Sequence, residues 1–175
     1  MTKTVLYECR LCYLNYIDLV FYLNIGTNLG DREANLTTAI DKIETELGMK
    51  CRQSSEVRSE PWGFDSDNKF VNIGVAVSSK ISPEEMLVKL KGIEETMGSA
   101  SHRNADGSYC DRLIDIDIMA VDELCIDETN LKIPHPHLQE RTFFLEPLAE
   151  LAPEWEHPLL HQTVKDLLKI VKNEE

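Results

Sequence analysis

The segment RLIDIDIMAV, residues 112–121, places two carboxylates two positions apart in a run of strand-forming residues. Side chains alternate along a strand, so Leu113, Asp115, Asp117 and Met119 fall on one face and Ile114, Ile116 and Ile118 on the other. Like charges about 7 Å apart on one sheet face repel unless a cation lies between them. Arg112 stands just ahead of the pair, and HPHLQER brings His135, His137 and Arg141 a short loop beyond it. Carboxylates with guanidinium groups suit a magnesium-phosphate site. Magnesium takes a few carboxylates and completes its shell with phosphate and water oxygens, and arginine grips phosphate through a planar fork. Two plainer readings stay open on these residues alone: a half-buried edge strand with a polar outer face, and surface salt bridges. Strict alternation puts Arg112 on the face opposite the aspartates, although a long side chain at the start of a strand can be redirected. His135, between Pro134 and Pro136, either contacts a ligand or fills a turn, and His137 is expected in solvent.

A second constellation is Phe70 with Asn72 in KFVNIGVAVSS, where both share the face opposite Val71 and Ile73. An aromatic ring beside a carboxamide suits a flat heterocycle, stacking on its face and offering its edge one donor and one acceptor. Such a pair also packs commonly against a helix.

Positioning these residues requires a particular order of elements. LVFYLNIG, residues 19–26, reads as a strand ending at a glycine. In the stretch that follows, Leu36, Ala39, Ile40, Ile43 and Leu47 keep helical spacing, with Asp31 at the start and Gly48 at the stop. Residues 50–57 make a second strand, and SEPWGFDSDN is a loop leading to the strand of Phe70 and Asn72. A second helix opens at SPEE, with Ser82 as N-cap, Pro83 at N1 and Glu85 closing a capping box. Met86, Leu90, Ile93 and Met97 form its stripe, and Gly98 ends it. After the aspartate strand come a short helix, a proline-marked loop and a terminal helix on Val164, Leu167, Leu168 and Val171. The order β-α-β-β-α-β with extra C-terminal helices is that of a ferredoxin-like α+β sandwich with an antiparallel sheet. One domain over 19–175 is expected, with residues 1–18 an N-terminal extension of unknown role.

The bulk numbers bound the function. The 175 residues suffice for a core without staples, and a net charge of -13 argues against a nucleic-acid surface, which needs a basic face. An anionic ligand must then be held by a local cluster of cations. Five cysteines form no regular framework, and Cys9-x-x-Cys12 lacks a partner pair, so reduced thiols in a cytoplasmic protein are expected. Glu8, Arg10 and Asp18 interrupt the apolar start, which reads as neither signal peptide nor membrane span. P-loop, dinucleotide and protein-kinase signatures are missing. IGTNLGDR is glycine-rich and reads first as a tight strand-to-helix turn.

Taken in order, YLNIGTNLGDR, SEPWGFDSDNKFVN, YCDRLIDIDIM and LKIPHPHLQERTFFLEPLAELAP resemble the 6-hydroxymethyl-7,8-dihydropterin pyrophosphokinases, enzymes of folate (tetrahydrofolate) biosynthesis, over about Val20 to His157. The D-R-x-I-D-I-D-I run followed by I-P-H-P and a downstream arginine carries most of the specificity. The resemblance implies transfer of the diphosphate of ATP to the pterin hydroxymethyl oxygen, releasing AMP, with two magnesium ions. Asp115 and Asp117 match the metal-binding aspartates, and dications between them and the triphosphate would relieve their repulsion. The family leaves open which group takes the hydroxyl proton; Asp117 is a candidate. Arg112 matches an arginine near the transferring phosphates, and His135 and Arg141 match nucleotide-phosphate contacts. Glu94 and Ile118 match positions of the adenosine pocket. Phe70 and Phe143 match an aromatic pair around the pterin, Asn72 its carboxamide, and Ser59, Glu60 and Trp62 the loop at its edge. The partners implied are ATP and the pterin alone, with neither nucleic acid nor membrane, and a monomer or weak homodimer.

The chain also departs from that pattern. Tyr109 stands in the ATP site where tryptophan is common, and Ser99 follows Gly98 where the family often has an arginine, with Arg103 expected to substitute as a catalytic cation. Pro136 follows His135 where some members carry an aromatic. The loops at 58–69 and 99–111 flank the site and are expected to close over ATP and pterin. Two rival readings are another magnesium-dependent nucleotidyl or phosphoryl transferase on the same scaffold and an RNA-binding β-α-β-β-α-β module, which the acidic balance disfavours.

Overall fold

The computed structural model describes residues 18–99 and 110–174. The first 17 residues, with Cys9 and Cys12, therefore lie outside the described residues, as do Arg103 and Tyr109.

Four antiparallel strands form the main sheet in the order β2-β3-β1-β4: β1 Leu19–Thr27, β2 Arg52–Ser59, β3 Phe70–Ser79 and β4 Asp115–Val121. Helices α1 (Arg32–Leu47) and α2 (Pro83–Thr96) connect β1 to β2 and β3 to β4. This is the expected β-α-β-β-α-β order, and the antiparallel α+β sandwich stands. A two-stranded ribbon follows, β5 (Ile126–Asp127) with β6 (Lys132–Ile133), then a 3-10 turn at Leu138–Glu140, α3 (Thr142–Leu151) and α4 (Val164–Glu174).

Alternation divides the molecule into two cores. Odd residues of β1 (Phe21, Leu23, Ile25) are fully buried with Val75 and Val77 of β3 and Ile116 and Ile118 of β4, under Leu36, Ile40 and Ile43 of α1 and Met86, Leu90 and Ile93 of α2. The opposite face of the sheet meets α3, and α4 packs against α3 and the 3-10 turn, around Phe144, Leu145, Leu148, Val164 and Leu167. Helices thus cover part of both faces, and β3 is buried along nearly its whole length. At Gly74 α3 approaches the sheet closely, since a Cβ there would sit 2.5 Å from the Pro147 Cβ. Any side chain at this position would push α3 off the sheet.

The helix ends follow their sequence signals. Asp31 accepts from the Ala34 amide at 3.1 Å, Ser82 Oγ from the Glu85 amide at 3.2 Å, and Gly48 takes φ +66 to cap α1. The aspartate strand starts later than its composition suggests, at Asp115, and pairs only with β1. A bulge shifts its register: Tyr22 faces Ala120 but Leu23 faces Ile118, leaving Met119 as the extra residue. Alternation therefore holds for Asp115 and Asp117 but not through Met119 and Ala120, which both join the second core. Among the described residues no helix is long and apolar enough to cross a membrane.

Candidate active site

Where α3 and α4 leave the second sheet face uncovered, a cavity of about 270 Å³ opens over the ends of β1, β3 and β4. Its floor follows directly from register. Gly26 pairs with Asn72 on one side and Asp115 on the other, and Asn24 pairs with Asp117. The period-two rule thus places a carboxamide, two carboxylates and a glycine gap on one surface.

Asp115 and Asp117 both line this cavity. Burial, then the charge of Asp115, pushes the Asp117 carboxyl up to about 7. Arg112 Nη1 donates to Asp115 Oδ2 at 2.8 Å, so the arginine lies on the aspartates' side. Strict alternation fails for Arg112 because the strand begins only at Asp115, leaving Arg112 in the preceding turn. That turn is clamped by the glycine-rich segment after β1. Asn28 Oδ1 accepts from the Arg112 amide at 2.8 Å, the Asn28 amide donates to the Arg112 carbonyl at 3.2 Å, and Asn28 Nδ2 donates to Asp111 at 2.6 Å. The TNLG turn is thus a structural element whose product is the position of Arg112. The guanidinium also lies 5.5 Å from the Phe70 ring and 5.9 Å from the Phe64 ring.

The opposite wall comes from the segment after β6. Arg141 is 9% exposed, with its guanidinium 4.0 Å from the Trp62 ring, and it borders Phe143 and Phe144 at 5.6 and 5.0 Å. His135 sits edge-on to Phe144 at 5.0 Å. Burial first, then the Arg141 charge, pulls its pKa down to about 3, so the ring is neutral near pH 7. The His137 amide donates to His135 Nδ1 at 3.1 Å, which leaves the proton on Nε2 as a donor. His137 is not simply solvated. It lines the cavity, 5.0 Å from the Trp62 ring, and its Nδ1 is 2.9 Å from Glu140.

Ser59, Glu60, Trp62, Phe70, Asn72 and Phe143 all line the same cavity. Phe64 and Lys91 line it too, and neither was singled out from the sequence. Lys91 was legible in one respect, standing three residues before Glu94 on α2 and therefore on the same helix face. Burial opposes the Lys91 charge, but Glu94 beside it, followed by Asp115 and Asp117, holds its pKa above the usual value.

Glu94 and Ile118 are placed elsewhere. Glu94 is 1% exposed and braces β4, accepting from the Ile116 amide at 2.7 Å and from Lys91 Nζ at 2.8 Å. Ile118 belongs to the first core, under the helices. Neither lines the cavity. Ser99 is also buried, its Oγ accepting from the Ile114 amide at 3.2 Å, so that position ties α2 to the start of β4.

The donor set fits a hard divalent cation. Two carboxylates on one wall of one cavity carry a charge that burial and mutual repulsion make costly, and oxygen-only ligation with room for further oxygens is what magnesium takes. The remaining cavity cations, Arg112, Arg141 and Lys91, surround the carboxylates as a phosphate chain would require.

Known proteins resemble this chain in sequence and in fold. Residues 22–153 match the model of the 7,8-dihydro-6-hydroxymethylpterin-pyrophosphokinase family. A 2-amino-4-hydroxy-6-hydroxymethyldihydropteridine pyrophosphokinase from Porphyromonas gingivalis is 37% identical over 140 residues, covering 79% of this chain and 94% of that protein. One of the same name from Aquifex aeolicus is 34% identical over 83% of this chain and 88% of its own length. Among solved structures, an HPPK-DHPS protein crystallised in complex with substrates superposes with a TM-score of 0.71 at 16% identity, covering 90% of this chain. The chain spans only 43% of that longer protein, and the likeness establishes the shared fold.

Proposed function

The chain belongs to the 7,8-dihydro-6-hydroxymethylpterin-pyrophosphokinase family, and on that premise we propose that it transfers the diphosphate of ATP to the hydroxymethyl oxygen of 6-hydroxymethyl-7,8-dihydropterin in folate biosynthesis. The hydroxymethyl oxygen forms a bond to the β-phosphorus, the bond from that phosphorus to the α–β bridging oxygen breaks, AMP leaves and the hydroxyl proton is released. The observation that carries this reading is the meeting, in one cavity, of an aromatic-carboxamide floor with a carboxylate pair ringed by cations.

Phe70 and Phe143 hold the faces of the pterin and Asn72 its edge, with Ser59, Glu60 and Trp62 closing the rim. Arg112, tethered to Asp115, faces the phosphoryl group in transfer and keeps its orientation through the Asn28 clamp. Arg141 and the neutral His135, an Nε2 donor, bind nucleotide phosphate oxygens. Lys91 adds a third cation to this set from α2. Asp115 and Asp117 hold two magnesium ions, which when bound neutralise and polarise the triphosphate. Where the family often has an arginine after α2, this chain has the buried Ser99, and Lys91, or Arg103 four residues further along the sequence, supplies the cation that this position lacks. Glu94 and Ile118 act behind the nucleotide site, holding β4 in register for its aspartates. The catalytic unit is one domain over 19–175, working in the cytoplasm on small molecules as a monomer or weak homodimer.

Incubating the purified protein with ATP, magnesium and the pterin tests the reading. ATP consumption that requires both pterin and magnesium supports it, and consumption unaffected by pterin overturns it.

A further inference from the structure

The reaction as proposed makes no use of Asn24, a buried carboxamide in the middle of a largely apolar strand. It is 3% exposed, lines the cavity, and stands on β1 directly opposite Asp117. Its Nδ2 donates to Asn72 Oδ1 at 3.3 Å, and its own Oδ1 has no hydrogen-bond partner among the described residues. A buried amide held at one end and without a protein partner at the other is costly unless a ligand completes it.

The sense of both amides follows from one atom that has no choice. The Val57 carbonyl can only accept, so the Asn72 end facing it at 3.5 Å is Nδ2, which also donates to Ser59 Oγ at 3.0 Å. Asn72 Oδ1 therefore points the other way, toward Asn24, and Asn24 must present its N–H there. The donors of Asn72 are thus spent on the protein. What it retains for a ligand is the second lone pair of Oδ1. Gly26, between the two amides, leaves that oxygen accessible, since a Cβ at this position would lie 2.8 Å from it.

We propose that Asn24 is a positioning and specificity residue for the heterocycle: it locks Asn72 with its oxygen toward the bound ring, so the floor selects an edge carrying N–H donors and rejects one carrying only acceptors. This rests on the pterin reading, because the amino-substituted pyrimidinone edge of a pterin is such a donor edge. Removing Asn24 takes away the N–H that anchors the Asn72 oxygen, so the amide is held by its Nδ2 end alone and the floor's acceptor loses its fixed position.

The test is a double-mutant cycle read by pterin binding, followed through the pterin's own fluorescence, with a non-hydrolysable ATP analogue and magnesium present. Asn24→Ala is expected to weaken pterin by about tenfold, the loss of one ordered hydrogen-bonding partner, with affinity for the ATP analogue within about twofold of wild type. In an Asn72→Ala background the same change is expected to have less than about a twofold effect, because Asn24 acts through Asn72. If Asn24→Ala does not fold, Asn24→Leu, which keeps the volume, is measured in its place. Unchanged pterin affinity in a folded Asn24 variant overturns the inference, as does an equal loss with and without Asn72. A wild-type protein that binds ATP analogue but no pterin overturns instead the reading on which the inference rests.

Discussion

Replacing Asp117 by asparagine is expected to abolish turnover and yet stabilise the metal-free protein above neutral pH. The carboxyl is pushed up to about 7 from the ordinary 3.8, first by burial and then by Asp115. Because the folded-state pKa lies above the unfolded one, stability is fully present below about pH 4 and is lost as pH rises through 7. At about 1.4 kcal/mol per pKa unit, a fully dry site would lose about 4 kcal/mol. Asp117 keeps some accessible surface at the cavity, and water there screens the charge, which brings the expected penalty to about 1–2 kcal/mol. The assay is urea unfolding of wild type and Asp117→Asn in a chelator, near pH 4.5 and pH 8. The variant should gain about 1–2 kcal/mol at the higher pH and show a much smaller difference at the lower. Magnesium should then stabilise the wild type more than the variant. Equal stability at pH 8, or loss of cooperative unfolding in the variant, would refute the view that this aspartate is strained for function and make it a structural residue.

Four further outcomes are expected. Gly26→Ala places a methyl group 2.8 Å from Asn72 Oδ1, so pterin affinity should fall by about tenfold or more while titration with ATP shows little change. Glu94→Ala leaves the buried Ile116 amide without its acceptor and should cost about 2–3 kcal/mol in denaturant unfolding, whereas Glu94→Gln, which keeps an acceptor, should cost less. The His135 ring, held neutral with a pKa of about 3, should show no titration between pH 5 and 8 by NMR. Hydrogen exchange over residues 58–69 and 99–111 should slow when ATP analogue, magnesium and pterin are all present, and unchanged exchange would count against these segments closing over the substrates.

Much of the fold was legible because local signals and burial agreed. The caps at Asp31 and Ser82, the αL stop at Gly48 and the alternation in β3 each report a backbone requirement that one residue type meets. The carboxylate pair was legible for the opposite reason: charges in a strand conflict with burial, and such conflicts concentrate at functional sites. What stayed hidden depended on contacts distant in sequence. The hand of Arg112 is set by Asn28, 84 residues away, and by a strand that begins three residues late. The bulge at Met119 breaks a period that the sequence continues without interruption. Lys91 reaches the cavity beside Glu94, which ties α2 to β4. Asn24 carries the plainest missed signal, a polar residue at the parity of Gly26 in an apolar strand, yet its partners lie on β3.

Whether a two-phosphoryl unit moves as one piece is read from phosphorus NMR of a complete reaction with ATP, magnesium and 6-hydroxymethyl-7,8-dihydropterin. AMP and a pterin diphosphate with coupled phosphorus signals, in equal amounts, are the expected products. ADP with a pterin monophosphate, or inorganic diphosphate with a nucleotidylated pterin, would contradict transfer in one piece.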